Sequence, residues 1–108
     1  MITLIRSETF DRWLQRLRDK TALVRILARL RNVGEGNFGD VKPVGEGVSE
    51  MRVHIGPGYR LYYTVRGGTI VFLLVGGNKS TQQIDIRRAQ EMARDIVHQE
   101  PPCKKTLQ

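Results

Sequence analysis

The sequence has few of the residues that hold small secreted or metal-binding domains together. Its one cysteine, Cys103, cannot form a disulfide within the chain, and its two histidines, His54 and His98, lie far apart. These residues do not supply the ligands of a structural zinc site, and no spaced acidic cluster indicates calcium or magnesium. We therefore expect no metal and no cofactor, and a protein of the reducing cytoplasm that depends on an apolar core.

Long apolar runs are also missing. No stretch approaches the ~20 apolar residues that span a bilayer, and the first ten residues, MITLIRSETF, lack the basic and apolar regions of a secretory signal. A chain of 108 residues with 40% hydrophobic and 27% charged residues suits one compact domain. We predict a single domain over residues 1–97 and a disordered tail over residues 98–108, which contain two prolines and no apolar period.

Basic residues outnumber acidic residues in this chain. The chain has 18 Lys and Arg against 11 Asp and Glu, a net charge of +7, and residues 11–33 hold seven basic residues but only two aspartates. This balance favours nucleic acid or an acidic protein as the partner and makes a membrane the weakest choice. A basic helix is equally well explained as a solvated surface, so the charge alone leaves both interpretations open.

The first third of the chain shows helical periodicity. Residues 2–5 are apolar and predict an edge strand. Two amphipathic patterns follow, over residues 7–19 and 21–33, and Ser7 is a candidate N-cap for the first of them. Two such helices with a short link predict an antiparallel helical hairpin, whose apolar faces require a further layer to cover them.

All the glycines lie within residues 34–77 and separate runs that are typical of strands. Residues 48–55 and 59–66 alternate in polarity on either side of the turn Gly56-Pro57-Gly58. Residues 70–75 are continuously apolar, which predicts a central strand covered on both faces, and residues 40–44 predict a shorter strand.

A final helix is predicted after residue 80. Ser80 and Gln83 fit a capping box, Asp85 is a second candidate N-cap, and apolar residues recur at helical spacing up to residue 97. The predicted fold class is therefore α+β: a small antiparallel sheet of four or so strands, packed against the N-terminal helical hairpin and the C-terminal helix.

Basic side chains gather on the face of the central hairpin that is predicted to point outward. If His54 pairs with Gly58 across the turn, Arg52 lies directly opposite Arg60, and like charges in that position are destabilising. Two adjacent guanidinium groups suit a bound anion, because arginine offers phosphate a planar, bidentate fit. Alternatively, Glu50 or a helix carboxylate neutralises each arginine, or a different register separates them.

This set of residues suits cleavage of RNA by its own 2′-hydroxyl. The protein then needs only to align the nucleophile, move protons and stabilise the charge that grows on the phosphorus. His54 is a candidate acid or base, although a hydrogen-bonded surface role explains a lone histidine equally well. Lys42, Tyr62 and Arg66 are predicted to contact RNA on the same outward face.

The chain resembles a known family most specifically in three segments: GDVKPVGEGVSEMR, GPGYRLYY and GGNKSTQQIDI. Over about residues 1–97 the chain resembles the HigB-like "addiction module killer" branch of the RelE/ParE toxin superfamily. The resemblance implies a microbial-RNase-like fold and the toxin of a type II toxin–antitoxin pair, a metal-independent endoribonuclease that cleaves mRNA on the ribosome. It also implies a HigA-like helix-turn-helix antitoxin, through which alone the toxin would reach operator DNA.

The resemblance assigns the functional positions of the family motifs to single residues of this chain. The ExR arginine corresponds to Arg52, the YR arginine to Arg60 and the GGxK lysine to Lys79, and these three are expected to bind phosphate and stabilise the transition state. Lys42 is a weaker candidate for backbone contact or proton transfer. RelE-type toxins proper use a tyrosine near the C-terminus, but this chain has none beyond Tyr63, so the resemblance leaves the acid and base unidentified.

Two other functions are open to the same superfamily fold. One is ParE-like inhibition of DNA gyrase, which is not enzymatic and produces DNA breaks in place of mRNA cleavage. The other is a protein that keeps the basic surface but has lost activity, for which the missing C-terminal tyrosine is the sequence hint.

Overall fold

Five strands and three α-helices make up residues 2–98, the part of the chain that the computed structural model describes. In chain order they are β1 (Thr3–Arg6), α1 (Glu8–Arg16), α2 (Lys20–Gly34), β2 (Val41–Gly45), β3 (Val48–Val53), β4 (Tyr59–Arg66), β5 (Ile70–Asn78) and α3 (Gln82–His98). The strands are arranged in the order β1-β5-β4-β3-β2. The predicted α+β class is confirmed, and the one difference in pairing is that β1 joins β5 in parallel, while the other pairs are antiparallel.

Side-chain caps fix where the first two helices begin. The Ser7 hydroxyl accepts a hydrogen bond from the backbone N–H of Phe10 (2.9 Å) and donates one to the carbonyl of Leu74 (2.7 Å), so it ties α1 to β5. The Asp19 carboxylate accepts from the N–H of Ala22 at the start of α2 (3.1 Å). These caps satisfy N–H groups that a helix leaves unpaired. The two consecutive helices with a short link are confirmed, and α1 packs against β5.

The sheet is covered on both faces. One apolar core lies between α1, α2 and the sheet, and the other lies between α3 and the opposite face. Buried members of the first core include Phe10, Leu14, Ile26, Leu30, Val33, Met51, Leu61 and Leu73. Those of the second are Val48, Tyr62, Leu74, Val75, Ala89 and Ala93.

The start of α3 differs from the prediction. Asn78, and not Ser80 or Asp85, is the capping residue, since its side chain accepts from the N–H of Ser80 (2.9 Å). A single 3-10 turn, Lys79–Thr81, follows it and leads into α3. Asp85 therefore lies in the first turn of α3, where its carboxylate accepts a hydrogen bond from the Thr81 hydroxyl (2.6 Å).

Two successive glycines let helices approach both faces of β5. A Cβ atom at Gly76 would overlap the indole ring of Trp13 from α1, and one at Gly77 would overlap the carboxylate of Asp85 from α3. Only glycine leaves room for both neighbours. None of the described helices has the length and hydropathy to cross a bilayer. Helix α3 ends at His98, the first residue of the predicted tail, and the remaining tail residues lie outside the described part of the chain.

Candidate active site

Two arginines stand side by side on the face of the sheet that α3 covers in part. Arg52 on β3 lies directly opposite Arg60 on β4, which confirms the predicted hairpin register. Neighbouring strands are about 4.8 Å apart, so two positive side chains begin from adjacent positions. The side chains are 31% and 14% exposed, respectively, and part of each is open to solvent.

A buried carboxylate lies between these arginines. Glu50 is only 1% exposed, and its two oxygens lie 3.3 Å from Nε of Arg52 and 3.4 Å from Nε of Arg60. Both Nε atoms are themselves buried without a hydrogen-bond partner, so their attraction to Glu50 is through charge. The arginines are therefore both paired and partly neutralised, and the cluster of one carboxylate and two guanidinium groups keeps one net positive charge.

Two neutral donors hold the Glu50 carboxylate in place. The Tyr62 hydroxyl donates to it (3.1 Å), as does the side-chain amide of Gln82 at the start of α3 (2.8 Å). Burial, together with the charge of Glu50 and the hydrogen bond to it, raises the pKa of Tyr62 well above its usual value, so the phenol stays protonated.

The outward orientation predicted for Tyr62 is wrong. The side chain is fully buried beneath α3, where no RNA base can stack on it. Alternation of polarity along β4 distinguishes two faces but does not show that a helix covers the second one. Tyr62 is therefore a positioning residue for Glu50.

His54 has a carboxylate partner at the end of β3. Its Nε2 lies 2.6 Å from Oδ2 of Asp40; the His54 side chain is largely exposed and that of Asp40 is about half exposed. The backbone N–H of Arg52 donates to the carbonyl of Asp40 (3.0 Å), which places the pair next to the arginine cluster. If Nε2 carries the proton of this hydrogen bond, Nδ1 is the ring nitrogen left to accept another.

The Asp40–His54 hydrogen bond predicts a measurable titration. It holds the pKa of Asp40 below the usual value of 3.8, and the charge of Arg52 acts in the same direction, while partial desolvation opposes it. Because the folded-state pKa is the lower one, the pair stabilises the fold above the unfolded-state pKa, and this contribution disappears as the pH falls through the folded-state value.

Carboxyl carbon chemical shifts of Asp40 measured by NMR between pH 2 and 6 test this prediction. We expect the midpoint to lie below 3.8 in the natural protein and to rise towards that value in His54→Ala. A midpoint that does not change in His54→Ala would show that the hydrogen bond is absent in solution.

Arg29 of α2 fixes the backbone around this pair. Its guanidinium group donates to the carbonyl of Arg52 (2.5 Å) and to that of Phe38 (2.9 Å). It therefore joins the end of β3 to the loop that carries Asp40. From the sequence, Arg29 was recognised only as one basic residue of a helix. No local pattern connects it to Phe38 or Arg52.

The predicted lysines lie around the cluster, but Arg66 does not. Lys42 is exposed on the edge strand β2, directly opposite Glu50, and Lys79 is exposed immediately after β5 ends. Arg66 lies at the far end of β4, six residues from Arg60, which corresponds to roughly 20 Å along a strand. The structure therefore places His54, Lys42 and Lys79 around the two arginines and leaves Arg66 outside the group.

Comparison with known proteins gives the family of the chain. The family described as "Phage derived protein Gp49-like (DUF891)" matches residues 12–96, from α1 to near the end of α3. A protein of Haemophilus influenzae, described as uncharacterized, is 44% identical over 88 residues, which cover 82% of this chain and 89% of that protein. The matched family region includes the whole arginine cluster. The chain therefore belongs to the Gp49-like phage-derived family, which is a RelE/toxin-like family.

Proposed function

We propose that this protein is the toxin of a type II toxin–antitoxin pair, of the HigB-like kind, and that it cleaves mRNA on the ribosome. The observation that carries the proposal is the arginine pair: two guanidinium groups on adjacent strands, held by one buried carboxylate and open in part to solvent. Membership of a family that commonly comprises toxin–antitoxin toxins supports the biological setting.

The pair suits the charge that develops during RNA cleavage. The 2′-oxygen of the substrate attacks the adjacent phosphorus, the bond to the 5′-oxygen breaks, and the products are a 2′,3′-cyclic phosphate and a free 5′-hydroxyl. Negative charge grows on the non-bridging oxygens as the pentacovalent phosphorus forms. Arg52 and Arg60 donate to these oxygens from fixed positions, and such preorganised donors are among the strongest sources of rate enhancement.

His54 is the group that we assign to proton transfer. With Nε2 bonded to Asp40, its Nδ1 removes the proton from the 2′-hydroxyl, and Asp40 stabilises the imidazolium ion that results. Lys79 and Lys42 add positive charge on either side of the arginines and assist in binding the RNA backbone. The leaving 5′-oxygen takes its proton from water, and the other steps use only groups of the protein and of the substrate.

The partner that follows from this function is an antitoxin. The Gp49-like family is associated with toxin–antitoxin pairs, and we propose a HigA-like helix-turn-helix protein that restrains the toxin in the cytoplasm. Contact with operator DNA would then occur only through that partner. An acidic segment of the antitoxin would complement the net charge of +7 and speed association.

Primer extension on a translated mRNA tests the function directly. Purified protein is added to the mRNA with and without ribosomes, and we expect discrete cuts within the reading frame only when ribosomes are present. Intact mRNA in both conditions, together with inhibition of DNA supercoiling by gyrase, would replace the endoribonuclease with the ParE-like function. Cuts that appear equally without ribosomes would contradict the ribosome dependence.

A further inference from the structure

A cleft opens where β5 runs beyond its neighbour β1. Pairing between these strands ends at Leu73, and the Ser7 hydroxyl bonds to the carbonyl of the next residue. Among the described residues, no strand covers this edge of β5 from Val75 to Asn78. A cavity of about 430 Å³ lies there between α1 and α3, within the range of pockets that hold small ligands.

Three arginines converge on this cleft from opposite sides. Arg12 and Arg16, one helical turn apart, come from α1, and Arg88 comes from α3. The acidic residue among those that line the cleft is Asp85, which accepts a hydrogen bond from Thr81. Arg12 also has an ion pair with Glu8 (3.5 Å), but both side chains are more than half exposed, and such pairs are weak. The cleft is therefore strongly positive.

One wall of the cleft suits a nucleotide. Gly76 and Gly77 line the floor, where the indole of Trp13 packs against Gly76 and the carboxylate of Asp85 packs against Gly77, and the indole also forms part of the wall. Phe10 and Tyr59 hold this indole through ring contacts at centroid distances of 5.8 and 6.2 Å. A positively charged groove with a fixed aromatic side chain is the arrangement that binds single-stranded nucleic acid without regard to sequence.

The cleft adjoins the arginine cluster. Gly77, on its floor, lies directly opposite Arg60 on the neighbouring strand. We propose that the cleft binds a nucleotide of the RNA strand next to the scissile phosphate: Arg12, Arg16 and Arg88 hold its phosphate, and its base lies against Trp13. This inference rests on the proposed function, because it requires RNA as the substrate. An acidic peptide paired with the open strand edge is the competing occupant; we favour the nucleotide because the cleft adjoins Arg60, to which we assign the scissile phosphate.

Tryptophan fluorescence reports binding at the cleft directly, since Trp13 is the one tryptophan in the chain. The probe is a single-stranded RNA hexamer carrying 2′-O-methyl groups, which cannot be cleaved. We expect it to quench the fluorescence in a saturable way, and the triple substitution Arg12→Ala, Arg16→Ala, Arg88→Ala to weaken binding at least tenfold. The magnitude of the slope of log affinity against log salt should fall by about 0.7, as expected when one phosphate of a single strand is no longer neutralised.

A matched triple substitution separates a specific site from general charge. Arg18→Ala, Arg25→Ala, Arg31→Ala removes the same charge from exposed positions outside the cleft, and we expect binding to stay within threefold of the natural protein. Circular dichroism melting checks that both triple variants fold. Equal losses in the two triples, no quenching by RNA, or tighter binding of a glutamate-rich peptide than of RNA would each overturn the cleft proposal.

The same experiment distinguishes failure of the cleft from failure of the proposed function. In Arg52→Ala the hexamer should still quench Trp13, with an affinity lowered by the loss of one phosphate contact, yet this variant should cut ribosome-bound mRNA about 10²- to 10³-fold more slowly. Ribosome-dependent cuts without quenching would refute the cleft and leave the endoribonuclease standing. Quenching that depends on the three cleft arginines, without any cuts, would support RNA binding at the cleft and refute the proposed cleavage.

Discussion

Arg52→Ala and Arg60→Ala are each expected to slow cleavage of ribosome-bound mRNA by about 10²- to 10³-fold, the loss seen when one preorganised donor to a developing oxyanion is removed. Both side chains begin on rigid strands, and Glu50 fixes their Nε atoms, so no other group can take the place of a missing one. Arg→Lys at either position keeps the charge but loses the planar fork, and we expect an intermediate rate.

The measurement is the rate of mRNA cleavage with saturating ribosomes, and growth arrest on expression provides a second readout. Arg31→Ala is the control, since this exposed arginine of α2 lies outside the cluster and carries the same charge. Each variant is first checked for a cooperative thermal transition. If both alanine variants cut within threefold of the natural rate while folded, the arginine pair is not the site of cleavage.

Glu50→Gln is expected to reduce the free energy of unfolding by about 3 kcal/mol, because removing one partner of a buried charge cluster leaves the remaining charges uncompensated. Gln preserves the shape of the side chain, so the loss reports charge and not a cavity. Partial exposure of Arg52 and Arg60 lets water relieve some of the repulsion, which places the effect at the lower end of the range for buried pairs. For a domain of this size, Tm should fall by at least about 10 °C.

Denaturant and thermal unfolding of Glu50→Gln measure this loss, and Glu46→Gln is the matched control. Glu46 makes an exposed ion pair with Arg94 (3.6 Å), so the same chemical change there should alter stability by less than about 0.5 kcal/mol. In a double-mutant cycle, Arg60→Met should cost less in the Glu50→Gln background than in the natural protein. Equal stability of the two single glutamine variants would show that Glu50 does not neutralise the arginines.

The opposition of Arg52 and Arg60 was predictable because it depends on local information. The turn at residues 56–58 and the alternation on either side of it fix which residues of the hairpin face one another. The same signals predicted β3 and β4, and helical periodicity predicted α1 and α2. Local patterns also raised Glu50 as a neutralising group, although they could not show that one carboxylate serves both arginines.

Contacts between distant segments could not be predicted from the sequence. Asp40 and His54 are separated by 14 residues, and Glu50 and Gln82 by 32 residues. No periodicity connects such pairs, because they meet only once the sheet and α3 have come together. The burial of Tyr62 has the same origin, since the helix that covers it lies 20 residues further along the chain. The parallel direction of β1 is likewise set by a crossover and not by its four residues.

The pairing of β1 with β5 also governs when the fold can be completed during synthesis. The Ser7 hydroxyl donates a hydrogen bond to a carbonyl 67 residues later. The first strand to be synthesised, β1, can therefore pair only after the last strand, β5, has been made. Contacts of such long sequence separation close late in folding. The cleft beside β5 and the Gln82 amide that holds Glu50 likewise belong to the final third of the chain. A nascent chain that ends before β5 lacks the second strand of the sheet, so neither the cleft nor the complete arginine cluster exists until synthesis is nearly finished.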